Sequence, residues 1–337
     1  MDEFQFIQHI RAQAEKRGDA PGLKRAIGDD AAVLRQSAGR QTLITTDLLV
    51  EDIDFVLAAS PPELLGHKAL AVSLSDIAAM GVRPRWTLSS LGIPQDVWDK
   101  DFVTRFYRGF FSLADRYDVR LIGGDVSRTP EKIVIDSIVL GECASDQEVA
   151  RSGASPGDLV FVSGTLGGSA AGQRLLQRGA RIGALQAEEP EWELVQELLL
   201  RHLQPEPRVG WGLVLGEHQL ATAMIDISDG LSSDLHHLCH ESKVGAMIDV
   251  KRLPLDPRVT ELCGRRALDP LLLALNGGED FELLFTVSPG NVPKLPLKVD
   301  GVSLTHIGEV GNASEGIKIR EGSRVWDLEA EGWKHFK

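Results

Sequence analysis

The sequence predicts two α/β or α+β domains, on three observations. Strand-like and helix-like patterns interleave in both halves of the chain. A polar stretch with Gly and Pro, "SDQEVARSGASPGD" around 145–156, separates the halves. At 337 residues, there is enough chain for two hydrophobic cores. The expected domains are 1–147 and 148–337.

Residues 2–17 read as a helix with Phe4, Phe6, Ile7 and Ile10 on or near one face. "QTLITTDLLVEDIDFVL", from Gln41, is rich in threonine and aliphatic residues and reads as a strand carrying Asp47. Ser60 to Gly81 is a helix, with serine and proline at its start, helical spacing inside and glycine at its end. Strands are expected at 85–92 and 119–124 with a helix near 99–117 between them, and "KIVIDSIVLGECA" alternates as a strand does. Past the boundary, "DLVFVSGTLGGSAAGQRLLQRG" reads as strand, glycine loop and helix. Helices at 191–202 and 208–217 follow, then a strand at 223–227 and a helix from Leu231. "PLLLALNGGEDFELLFTV" reads as helix, turn and strand, and the last 40 residues as short strands.

The apolar fraction of 43% is ordinary for a globular protein. Lys and Arg number 36 against 49 acidic residues, a net charge of −13 that argues against a nucleic-acid or anionic-membrane surface. An anionic ligand would have to be met through bound cations. Cys143, Cys239 and Cys263 follow neither a disulfide nor a zinc spacing, as in a reducing compartment. The acidic start of the chain lacks the pattern of a signal peptide, and no apolar run approaches a membrane span. A cytoplasmic location is expected.

Acidic residues recur beside a glycine or a small polar residue at expected element ends. They are "IGDDAAV" with Asp30, "TTDLL" with Thr45, Thr46 and Asp47, "LSDIAAMG" with Asp76, "GGDVSR" with Gly124 and Asp125, "DISDGL" with Asp226, Ser228 and Asp229, and "GGEDFELLF" with Glu279 and Asp280. Any one of these suits a turn or an N-cap, which aspartate favours. Their repetition in apolar, strand-like flanks with few basic neighbours points instead to convergent carboxylates around hard divalent ions, of which Mg²⁺ suits a phosphate-handling site. The clusters hold neither a Ser-His-Asp nor a Cys-His arrangement, and no histidines of the kind catalytic zinc uses. Phosphoryl transfer fits them, because it needs chiefly alignment and charge neutralisation.

Other features carry two readings each. "GTLGGSAAG", 164–172, opens a helix and suits either an anion or tight packing, and it lacks the Gly-Lys-Ser/Thr ending of a P-loop. His236, Cys239 and His240 have one-face spacing for a metal, but a helix surface with a buried cysteine is the simpler expectation. Arg151 is either a solvated loop arginine or a phosphate contact. Trp333 either anchors the C-terminal segment or stacks on a flat or cationic ligand.

In order along nearly the whole chain, "IGDDAAV", "TTDLLVE", "LSDIAAMG", "GGDVSRTP", "RSGASPGD", "DISDGLSSDL", "GGEDFELLF" and "GWKHF" resemble the thiamine-monophosphate kinase family. The resemblance implies an aminoimidazole ribonucleotide synthetase-like fold, with an N-terminal domain that pairs its sheet with that of a second copy in a homodimer and a C-terminal α/β domain. It implies ATP-dependent phosphorylation of thiamine monophosphate to thiamine diphosphate with several Mg²⁺ ions. Carried over by motif, Asp30, Thr46, Asp47, Asp76, Asp125, Asp226 and Asp229 are metal ligands, and Thr45 beside them is a further oxygen donor. Gly124, Asp125, Arg151 and Ser228 match ATP contacts, and Glu279 and Trp333 match substrate contacts. Where family members often have histidine in a "VEGVHF" wording, this chain has "VEDIDF", so Asp54 stands at that substrate edge and Asp52 replaces the glycine. Two alternatives stay open: another ATP-dependent enzyme of the same superfamily, and a non-catalytic divalent-cation module.

Overall fold

The computed structural model describes residues 3–16, 22–36, 39–183, 191–265, 268–333 and 335. The first half holds strands β1 (Leu23–Arg25), β2 (Ala32–Arg35), β3 (Arg40–Val50), β4 (Arg83–Ile93), β5 (Arg120–Arg128) and β6 (Val134–Ala144). Its helices are α1 (Glu3–Glu15), α2 (Pro62–Ala79), α3 (Gln95–Trp98) and α4 (Phe102–Arg116). These strands form one sheet in the order β1-β2-β3-β6-β4-β5, in which β4 and β5 run parallel and the other neighbours antiparallel.

The second half holds β7 (Leu159–Ser163), β8 (Ala223–Asp226), β9 (Gly245–Asp249), β10 (Leu283–Val287), β11 (Lys298–Val299), β12 (Val302–Gly311), β13 (Ile317–Glu321) and β14 (Arg324–Asp327). Its helices are α5 (Gly168–Gln177), α6 (Trp192–Leu203), α7 (Val209–Glu217), α8 (Leu231–Ser242), α9 (Pro257–Arg265) and α10 (Pro270–Asn276). The sheet order is β14-β13-β9-β12-β7-β10-β8, with β11 beside β12.

Helix α2 lies at the centre of the molecule. It is buried on almost every side, so it shows no single apolar stripe. Glycines let its neighbours come close: a Cβ at Gly66 would lie 1.9 Å from the Phe106 carbonyl oxygen on α4, and one at Gly212 of α7 would lie 2.2 Å from that of Ala78. The inner face of the first sheet packs on this layer, while its outer face alternates to half-exposed positions, as along β6. Leu74 of α2, Trp211 and Leu215 of α7 and Phe285 of β10 belong to one continuous core shared by both halves. The polar stretch at the boundary is stitched down rather than slack, since Val149 N–H donates to Met80 O at 2.9 Å and Met224 N–H to Ala150 O at 2.9 Å.

Three expectations shift. The strand from Gln41 stops at Val50, where a turn takes over with Asp52 at φ 70°. Strand β5 extends to Arg128, so Asp125 lies within the strand and not past its end. Strands β1, β2 and β9 and helix α9 carry too short or too polar a pattern to stand out in the sequence. Residues 2 and 17 of the expected first helix lie outside the described residues.

Candidate active site

Four aspartates meet where α2 passes between the two sheets. Asp30, Asp76 and Asp226 each offer a carboxylate oxygen, and these oxygens lie within 4.8 Å of one another. Asp47 stands beside them on β3. Hydroxyls of the central helix fix two members: Ser73 Oγ donates to Asp47 Oδ2 at 2.7 Å, and Ser75 Oγ donates to Asp226 Oδ2 at 2.6 Å. Thr45 Oγ1 donates to Asp76. Asp226 closes β8, paired with Leu283 of β10. Asp76, Thr45 and Asp47 thus come from the first half of the chain and Asp226 from the second.

The electrostatics are those of anions short of positive charge. Burial pushes Asp226 up to about 7, with Asp30's charge adding to it against the Ser75 hydrogen bond and Arg151. Burial likewise raises Asp47 to about 6, reinforced by Asp136 and Asp30. Asp76 is held well above the ordinary carboxylate range by burial and by the charges of Asp47, Asp226 and Asp30. A cluster of oxygen donors only, too close together to ionise freely, fits a hard divalent cation.

One fixed cation reaches the cluster, from outside the motifs that hold these carboxylates. Arg151 pairs with Asp30 in a two-point fork, Nη2 to Oδ1 at 2.8 Å and Nε to Oδ2 at 3.0 Å. Its backbone N–H also donates to Asp29 Oδ1 at 3.2 Å. Arg151 lies 121 residues from Asp30 in the chain, so no local pattern reports the pair. One guanidinium against Asp30, Asp47, Asp76 and Asp226 still leaves the cluster strongly negative.

The remaining metal-site candidates stand apart from this cluster. Thr46 points to the outer sheet face, where its hydroxyl donates to Asp136 Oδ1 at 2.7 Å. Gly124 and Asp125 lie on the edge strand β5, three strand spacings or about 14 Å from β3. Asp125 is exposed and accepts the Val126 N–H at 2.9 Å. Gly124, at φ 155°, allows β5 to lie against β4, since a Cβ there would be 2.0 Å from Ser89 O. Asp229 sits beyond Asp226, in a second group with Asp234 and His237 whose ligand atoms also lie within 4.8 Å of one another. Asp234 there accepts the N–H groups of Asp229 and Gly230 at 3.2 and 3.0 Å.

From Asp47 a cleft runs outward between the halves. Its inner cavity, about 210 Å³, is lined by Asp47, Ser228, Asp229, Glu279 and Trp333, and an adjoining cavity of about 260 Å³ by Asp54, Lys68, Gln173, His202 and Trp333. Asp54 accepts the Val50 N–H at 2.7 Å, closing the turn after β3. Burial raises its pKa. Trp333 is held by its backbone N–H, which donates to Asp229 O at 3.0 Å, and the residue is 48% exposed and lines the cleft. Ser228 O accepts the Glu279 N–H at 2.7 Å. Glu279 takes the left-handed conformation, φ 62°, and Lys68 reaches both its carboxylate oxygens at 2.7 and 2.8 Å. Burial acts to raise Glu279, but the charge of Lys68 and its contact with His202 prevail and hold it at about 2.

Two other features resolve into internal structure. The glycine loop takes its anion from the chain itself: Asp280 accepts the N–H groups of Gly167 and Ser169 at 2.6 and 3.1 Å, at the start of α5. Cys239 is buried in the core of the second half, and His236 Nδ1 meets Ser232 O at 2.7 Å. Lys68 and His202 are the cleft residues that motif reading misses. The only signal for Lys68 is that it is the one lysine in α2, a helix rich in Ala and Leu.

Comparison with known proteins agrees with this geometry. The family described as AIR synthase related protein matches through its N-terminal domain at residues 28–143 and its C-terminal domain at 155–319. The thiamine-monophosphate kinase of Buchnera aphidicola (subsp. Acyrthosiphon pisum) is 36% identical, covering 99% of this chain and 98% of its own. That of Bacillus subtilis is 37% identical over the full length of both. Among solved structures, AaThiL complexed with AMPPCP and TMP is 35% identical and superposes with a TM-score of 0.84, covering 99% of this chain and 97% of its own. Full-length similarity at this level, on the two-sheet architecture that builds the carboxylate cluster, places the chain in the thiamine-monophosphate kinase family.

Proposed function

We propose that this protein transfers the γ-phosphoryl group of ATP to thiamine monophosphate, giving thiamine diphosphate. The observation that carries the reading is a cleft with a dense carboxylate cluster at one end and an aromatic and ionic pocket at the other, in a chain of this family. The bound ligands of AaThiL, AMPPCP and TMP, support the same pair of substrates.

Asp30, Thr45, Thr46, Asp47, Asp76, Asp125, Asp226 and Asp229 are the proposed holders of Mg²⁺. When bound, the ions neutralise and align the nucleotide phosphates. Gly124, Asp125, Arg151 and Ser228 are the proposed ATP contacts. Asp54, Glu279 and Trp333 hold the acceptor, with the Trp333 ring as a stacking face for its flat rings. No side chain need act as general base, because the second pKa of a phosphate monoester is about 6 and the acceptor oxygen is largely ionised at neutral pH. The chain's work is to align two anions in line and keep water from the transferring group.

The distance of Gly124 and Asp125 from the cluster bears on the assembly. Strand β5 is an unpaired edge, exposed from Ile122 to Arg128, and with Leu48 on the outer face it leaves apolar surface uncovered. A homodimer that pairs these sheets supplies the cover and carries Asp125 of one copy toward a cluster. We propose a domain division at 147/148 and a cytoplasmic location. No helix among the described residues is long and apolar enough to cross a membrane.

The test is an assay of the purified protein with ATP, Mg²⁺ and thiamine monophosphate, with free thiamine as control. Thiamine diphosphate should form from the monophosphate alone. Absence of product from the monophosphate refutes the proposal.

A further inference from the structure

Among the described residues Lys68 is the only cation with so little exposure, 2%, and it lies in the wall of the cleft. Its ammonium reaches both oxygens of Glu279, and His202 Nδ1 lies 3.0 Å from Oε2 of the same carboxylate. Ser169 Oγ lies 3.1 Å from that same ring nitrogen. Lys68, His202 and Glu279 come from three places: α2 of the first half, α6 and the turn before β10. With its lysine buried and its carboxylate only part-buried, such an ion pair contributes little net stability, because desolvation of the ammonium offsets the attraction, so its presence calls for another reason.

The reason lies in what remains of Glu279. A carboxylate has about four lone-pair sites, of which Lys68 occupies two and His202 one, leaving about one for a ligand. Its charge is already balanced by Lys68. Glu279 therefore presents a single oriented acceptor site for a neutral N–H or O–H donor rather than an anionic site for a cation. Its backbone is held to match: Glu279 N–H donates to Ser228 O, and a Cβ at Gly278 would lie 2.5 Å from that same oxygen.

We propose that Lys68 is a positioning residue for acceptor recognition: together with His202 it aims the Glu279 carboxylate at one hydrogen-bond donor of the phosphorylated acceptor. The inference rests on the kinase reading above. The charged and titratable groups at Glu279 are Lys68 from α2, His202 from α6 and Asp54 from the turn after β3, while His335 lines the same cavity and faces Asp54. Burial and the charge of Lys68 both lower the pKa of His202, so it faces Glu279 as a neutral donor.

The test is steady-state kinetics on Lys68→Met, Lys68→Arg, Glu279→Gln and the Lys68→Met/Glu279→Gln pair. Wild-type turnover of thiamine monophosphate is measured first, and its absence refutes the kinase reading itself. With wild type active, Lys68→Met should raise KM for the acceptor about tenfold or more while KM for ATP stays within about twofold and kcat within about threefold. Lys68→Arg should recover only part of the loss, leaving acceptor KM about threefold above wild type, and Lys68→Met should add little in the Glu279→Gln background. An unchanged acceptor KM, or equal losses toward both substrates, overturns the proposal. If Lys68→Met does not fold, Lys68→Arg decides alone: its displaced guanidinium should raise acceptor KM about threefold and leave ATP unaffected, and an unchanged acceptor KM overturns the proposal.

Discussion

At the scale of single residues the site is a set of carboxylates held where they resist ionising. Asp226 at about 7, Asp47 at about 6 and Asp76 higher than ordinary are all raised mainly by burial. A group that binds its proton more tightly when folded contributes stability at low pH and loses it as pH rises through the folded value. The metal-free protein should therefore lose thermal stability between about pH 5 and 7.5, and Mg²⁺ should restore more of it at pH 7.5 than at 5.5. Glu279 has the opposite sign, with a window between about 2 and 4, and His237, lowered to about 4 by burial, opposes the loss only up to about pH 6.5, so the loss is clearest above that. Thermal melts with and without Mg²⁺ at the two pH values check this; an Mg²⁺ gain independent of pH contradicts it. The aspartates were legible in the sequence because each sits in a local motif beside a glycine or a small polar residue. Arg151 on Asp30 and Lys68 on Glu279 were not, because 121 and 211 residues separate the partners and nothing local marks the pairing.

At the scale of elements, α2 joins the two ends of the cleft. Lys68 faces the acceptor pocket, while Ser73, Ser75 and Asp76 reach the carboxylate cluster. Eight residues separate Lys68 from Asp76, about 12 Å along a helix. Sequence reading found this helix within two residues at each end, since proline opens it and glycine follows it. It missed what seats the helix, which is the absence of side chains on its neighbours. A methyl at Gly212 would stand 2.2 Å from Ala78 O, on the last turn of α2 close to Asp76. Gly212→Ala should destabilise the protein by about 1–3 kcal/mol through overpacking. It should also weaken Mg²⁺ binding, because the turn that must yield carries Asp76. Calorimetric titration beside a thermal melt checks both; a stability loss with unchanged Mg²⁺ affinity separates α2 seating from the site.

At the scale of the whole molecule, the fold class was readable from interleaved patterns, but how the parts meet was not. The two sheets share a core through α2 and α7, so the boundary visible in composition is not a hinge visible in packing. What the single chain leaves open is the edge of the first sheet. Ile122 and Val126 on β5 are 57% and 49% exposed, and Leu48 on β3 is 59% exposed. Apolar side chains on an unpaired edge are covered in stable proteins or lead to aggregation. Gly124 and Asp125 lie on the same strand, distant from their own cluster. If a second copy covers this edge, association and turnover depend on one surface. Ile122→Glu combined with Val126→Glu should then yield a folded monomer by light scattering, with a melting profile of ordinary cooperativity and turnover reduced at least about tenfold, since loss of even an outer partner of a metal ligand costs about 10–100-fold. A variant that is monomeric yet fully active would mean that each chain completes its own site, and Asp125 would then have no place among the metal ligands.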